Sequence, residues 1–102
     1  MNINTLNAGT IYTFKLNSGE ELVAKVIDAN QDNFEIEHPV SIAPGPQGMG
    51  LVPSLFTGNM SNPIQLNINS VALVAETDES VAAKYIEATT GIRVPDKKII
   101  MG

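Results

Sequence analysis

The chain has no cysteine, six basic residues against eleven acidic ones, and no long apolar run. Without cysteine there is no disulfide framework, no thiolate nucleophile and no thiolate zinc site. A net charge of −5 repels phosphate at long range, which removes the usual electrostatic footprint of a nucleic-acid binder and leaves room only for local contact. The cations Lys15, Lys25, Lys84, Arg93, Lys97 and Lys98 are scattered, and only the last three stand close together. No window approaches the ~20 apolar residues of a membrane-spanning helix. The opening Met1 to Thr10 has neither the basic start nor the apolar stretch of a secretory signal. A cytoplasmic protein is expected, with one domain over residues 1–102, long enough for a single core.

What is present reads mostly as strand. In residues 10–16, Tyr12, Phe14 and Leu16 alternate with Thr13 and Lys15, the two-residue period of a half-buried strand. Asn17-Ser18-Gly19-Glu20 supplies turn chemistry, and the β-branched run of residues 21–29 returns antiparallel. After the polar stretch Asp28 to Asn33, Phe34, Ile36, Val40 and Ile42 share one phase of a third strand, with His38 in that phase and Pro39 marking a bend or an edge. Residues 43–50, with three glycines and two prolines, read as an irregular loop. Residues 51–58 read as extended, with Pro53 at an edge or bulge. Ile64, Leu66 and Ile68 then alternate with Gln65, Asn67 and Asn69. The apolar series moves to Val71, Leu73 and Ala75, a change of parity that requires a bulge or a tight turn near Asn69-Ser70. From Asp78 the period becomes helical: Val81 with Tyr85, Ala82 with Ile86, then Ala88. Asp78 is the expected N-cap and Gly91 the expected C-cap residue. The tail 91–102 has apolar ends around a Pro-Asp turn and is expected to pack on the body or on a neighbouring subunit.

Motifs that could carry chemistry give little. The stretch from Asp28 places oxygen ligands at alternate positions like a calcium loop, but Asn33 stands where glycine is needed and Pro39 replaces the bidentate glutamate. A solvated turn is the better reading. His38 is the lone histidine, and its phase makes it half-buried or a subunit contact rather than a general base. Glu35 and Glu37 share one strand face, and no pocket for paired acid–base work is inferable around them. Ser54 and Ser70 have no neighbouring base in sequence, so no nucleophile is activated. Residues 45–50 fail the phosphate-binding glycine pattern and are not followed by a helix. Asn59-Met60-Ser61 fits a glycosylation acceptor, idle without secretion. The stripe Val81, Tyr85, Ile86 reads as packing surface. No enzyme, cofactor or metal is expected.

Short strands joined by tight turns, a variable glycine- and proline-rich loop after the third, and almost no link between the last two resemble the Sm/Lsm (Hfq-like) small β-barrel family over about residues 10–76. The nearest form is similar to Sm-like proteins of phages and related marine sequences, which pair strands of the Phe14–Val40 kind with a Gly/Pro loop, a Leu51–Phe56 segment and a C-terminal helix. The resemblance implies a mainly β fold: a strongly bent five-stranded antiparallel barrel over 10–76, a helix over about 78–90 and the tail 91–102. Sm proteins usually carry their helix before the barrel; this chain has it after.

The resemblance also implies a homo-oligomeric ring formed by strand pairing between subunits, with two turns facing a pore that binds single-stranded, uridine-rich RNA. Here those turns are Asn30, Gln31, Asp32 and Asn33, and Asn67, Asn69 and Ser70. Asn33 matches the base-reading asparagine of the family after a one-residue shift. In place of the family's stacking side chain and its Arg-Gly or Lys-His pair stand Gln31-Asp32 and Asn69-Ser70. Stacking is worth roughly 1–3 kcal/mol per base and phosphate neutralisation much of the affinity, so weak binding through amide edges is expected. The alternative is a phage-type structural or interaction scaffold whose helix and tail contact a protein partner and which binds no RNA.

Overall fold

The structure, a computed structural model, describes residues 6–90. Six antiparallel strands and one helix follow in chain order: β1 (Ile11–Leu16), β2 (Glu21–Ala29), β3 (Asn33–Gly45), β4 (Gly48–Pro53), β5 (Ile64–Asn67), a 3-10 turn (Ile68–Ser70), β6 (Val71–Glu76) and α1 (Glu79–Thr90). The fold is mainly β with one helix after the sheet, as expected. The tail 91–102 and the Gly91 cap lie outside the described residues.

The sheet is ordered β4-β3-β2-β1-β6, and β5 also pairs with β3. Because β2 fills one edge of β3, the other edge is shared: β5 takes Asn33–Ile36 and β4 takes Val40–Gly45. No ladder joins β5 to β6, so the hydrogen-bonded sheet does not close on itself. The 3-10 turn connects those two strands through the chain instead. Expectation had Ile68 continuing the strand; its place in this turn is what resolves the parity change. Asn67 caps the turn, its side chain accepting from the Asn69 amide at 2.8 Å.

Two bulges decide which side chains meet. Between Glu37 and Val40, β3 has one residue more than β2 opposite it, and His38 there takes φ +50°. An extra residue in a two-period strand moves everything beyond it to the other face. Phe34 and Ile36 therefore join one core, while Val40 and Ile42 join another, contrary to the single phase expected for the four. The first core contains Tyr12, Phe14, Leu22, Ala24, Val26, Phe34, Ile36 and Val71, with Phe14 and Phe34 ring centroids 5.2 Å apart. On the opposite face, Val23, Val40 and Tyr85 form the second core, flanked by Ile42, Leu51, Val81 and Ile86. The second bulge, in β2 between Val26 and Asp28, gives one residue back before the turn.

The expected loop over 43–50 is instead a hairpin. Ala43, Pro44 and Gly45 pair with Gly50, Met49 and Gly48, leaving only Pro46-Gln47 as the tip. Beyond Ser41, β3 has β4 as its sole ladder partner, so Pro44 can lack an N–H on the vacant side. Gly48 at φ +105° supplies the left-handed residue that closes the turn. Of the extended stretch expected over 51–58, only Leu51–Pro53 is strand.

α1 begins where the sequence indicates. Asp78 Oδ2 accepts from the Ser80 and Val81 amides at 3.1 and 3.4 Å and from Ser80 Oγ at 2.6 Å. The Ser80 hydroxyl and the two amides hold the Asp78 carboxyl below its ordinary pKa. One face of the helix lies on the second core, and its anchor is Tyr85, 3 % exposed. The Tyr85 hydroxyl donates to Glu37 O at 2.7 Å and accepts from Lys25 N at 3.1 Å. Lys25 and Glu37 are ladder partners beside the bulge, so the phenol enters the sheet where its hydrogen bonding is disturbed. Burial, reinforced by the nearby Glu37 charge, pushes its pKa up to about 12.

Candidate functional site

The two polar segments singled out in the sequence are brought together. Asn33 pairs with Asn67 in the β3–β5 ladder, and the Ile68 amide donates to Asp32 O at 2.9 Å. Sequence separation of more than thirty residues collapses to one rim because β5 returns to the N-terminal half of β3. The rim gains a third member that the sequence reading missed: Asn17, in the β1–β2 turn. Its amide donates to Ser70 O at 2.8 Å and its side chain to Asn69 O at 2.7 Å. The only prior signal was a turn-forming asparagine, and turn asparagines are too common to be diagnostic.

Each turn is held by its own side chains. Asn30 Oδ1 accepts from the Asp32 and Asn33 amides, both at 2.8 Å, while Asn30 N donates to Asn33 O at 2.9 Å. Ser70 Oγ donates to Asn67 O at 2.7 Å. The carboxamide oxygens of Asn30 and Asn67 are thus engaged in shaping the turns, which leaves their NH2 groups as the donor ends of these side chains. Asn30, Gln31, Asp32, Asn67 and Asn69 are exposed, and Asn33 and Ser70 half-buried. The chemistry on offer is hydrogen bonding by amide donors, with the Asp32 carboxylate as acceptor. Neither an aromatic ring nor a basic side chain belongs to these turns.

Other candidates resolve into structure. His38 is half-buried, as expected, but at the bulge rather than in the core with Phe34 and Ile36. Glu35 accepts from Gln65 Nε2 at 3.3 Å across the β3–β5 pair. Ser54, expected to lack a base, is one step removed from a carboxylate: it shares a 2.8 Å hydrogen bond with Ser41 Oγ, which donates to Glu20 Oε2. Ser41 is only 8 % exposed, and the chain of three groups fastens the β1–β2 turn to the end of β4 rather than presenting a nucleophile. Val81, Tyr85 and Ile86 are packing surface. Among the described residues no group of three or more His, Asp or Glu side chains could hold a metal ion, and no helix is long and apolar enough to cross a membrane.

Three strand edges lack a ladder partner among the described residues: the outer edges of β4, β5 and β6. Two of these strands carry exposed apolar side chains, Met49 and Val52 on β4 and Leu73 on β6, with Leu55 and Phe56 exposed just beyond β4. Compared with known proteins, the sequence matches no protein-family model and no curated protein.

Proposed function

We propose that the chain is a non-enzymatic Sm-like protein that forms a homo-oligomeric ring and presents the rim of turns 30–33 and 67–70 to single-stranded RNA. The observation that carries this reading is the junction of the two turns, Asn33 against Asn67 and Asp32 O against Ile68 N. Amide groups from both segments face one ligand path only if the chain brings them to one rim. The order β6-β1-β2-β3-β5, with a 3-10 turn carrying β5 into β6, supports a small-barrel arrangement. Assembly follows from the edges. An unpaired strand is a template for another chain, and a head-to-tail contact of β4 with a neighbour's β6 covers Met49, Val52 and Leu73 and closes into a ring when the rotation permits.

RNA affinity is weak in this reading, because the rim supplies edge-reading amides without stacking or phosphate neutralisation. Fluorescence anisotropy with short uridine-rich and adenine-rich oligonucleotides tests it: a salt-sensitive, uridine-preferring rise is expected, and a flat titration at high protein concentration rejects the RNA arm. A second reading, an assembly scaffold that binds protein, is favoured by the net charge of −5 and by Phe56, 85 % exposed on the β4–β5 connection. Here oligomer formation persists without RNA binding, and a pull-down with a Phe56→Ser control recovers a partner only through the intact apolar surface.

A further inference from the structure

We propose that the cavity beside the C-terminal half of α1 binds a zwitterionic α-amino acid with an apolar side chain. The cavity measures about 410 Å³, within the ordinary range for small-molecule sites. Ile11 and Ile86 give it apolar walls, and Lys25, Glu37, His38 and Tyr85 bring polar groups to its lining. Tyr85 holds the helix over this part of the sheet, its hydroxyl committed to Lys25 N and Glu37 O. The frame is thus built before any ligand arrives.

Two features distinguish this cavity from a packing gap. Successive residues of a regular strand point to opposite faces, yet Glu37 and His38 both line it. The bulge makes this possible, and His38 takes φ +50° there. Bulges that re-aim a side chain and non-glycine residues in left-handed conformations both concentrate at functional sites. The second feature is charge. Lys25 and Glu37 are ladder partners, an arrangement that puts Cβ atoms roughly 5 Å apart, yet neither charged group forms an ion pair or a side-chain hydrogen bond among the described residues. A plain anion would meet Glu37, and a plain cation would meet Lys25. A ligand with both charges on one carbon satisfies both residues: its carboxylate takes the Lys25 ammonium, and its ammonium takes the Glu37 carboxylate. His38 adds a hydrogen-bonding edge, and a branched ligand side chain lies against Ile11 and Ile86. A water-exposed Lys–Glu pair is worth little by itself, so the two residues lose little when a ligand comes between them.

The isoleucine methyl groups report on this site directly. When the methyl-labelled full chain is titrated with L-leucine, saturable NMR shifts are expected at Ile11 and Ile86, with Ile64 and Ile68 beside the other core unmoved. N-acetyl-leucine, which keeps only the negative charge, and leucinamide, which keeps only the positive one, are expected to leave all four in place. Lys25→Met and Glu37→Gln each remove one charge and spare the Tyr85 hydrogen bonds, which use backbone atoms. Each variant is expected to bind leucine roughly tenfold more weakly than the parent, with an unchanged circular dichroism spectrum. A flat leucine titration of the parent overturns the proposal. So do equal shifts from the two blocked compounds, which reduce the cavity to an apolar gap, and so does parental affinity in either variant. None of these outcomes depends on ring formation or on RNA.

Discussion

Tyr85 does more for this fold than its place in an apolar stripe suggests. Its ring fills the second core while its hydroxyl serves Lys25 N and Glu37 O. Tyr85→Phe keeps the ring and orphans both backbone groups, so a loss of about 1–3 kcal/mol is expected in urea unfolding. The same hydroxyl sets an alkaline limit. Its folded pKa is about 12 against an ordinary value of 10.0, so its contribution is complete below pH 10 and disappears as pH climbs through 12. A two-unit shift corresponds to roughly 2–3 kcal/mol, and the slope of stability with pH over that window is expected to vanish in Tyr85→Phe. His38 yields a second expectation at this scale. At φ +50° it holds a conformation that asparagine accepts and β-branched residues resist. His38→Asn is expected to unfold near the parent's urea midpoint, and His38→Val to lose about 1–2 kcal/mol.

Among the elements, β3 decides the architecture. Its thirteen residues serve both cores and three partner strands. Phe34 on its first half packs against Phe14, and Phe14→Ala is expected to cost about 3–5 kcal/mol by calorimetry or urea titration, because a fully buried ring leaves a cavity. Strand periodicity made β1, β2, β5 and β6 legible, and the Asp78 cap marked the helix within a residue. The bulge at His38 was not legible, because a period-two pattern reads the same before and after an inserted residue until partners are known. Glycine and proline concealed the β3–β4 hairpin for a related reason. They forbid a central strand, and this is an edge, a distinction that only pairing supplies. The candidate rim was legible as two separate turns. Its junction, and the part of Asn17, depended on the β3–β5 register and the 3-10 turn, neither of which a local pattern contains.

For the whole molecule, the open edges carry the clearest expectation. Leu73→Lys on β6 and Val52→Lys on β4 place charges where a neighbour's strand would pair, and both side chains are already exposed, so the fold should tolerate them. Light scattering coupled to size-exclusion chromatography is expected to show the parent as an oligomer and each variant as a smaller species with an unchanged circular dichroism spectrum. A monomeric parent removes the ring and its pore together. The hydroxyl that Tyr85 lends to the sheet also has a temporal consequence. Lys25 and Glu37 leave the ribosome 60 and 48 residues before Tyr85 does, so until the helix is made the ladder between β2 and β3 stays open to water at that point. Amide hydrogen exchange at Lys25 would therefore report, from inside the sheet, whether an element synthesised long afterwards has taken its seat.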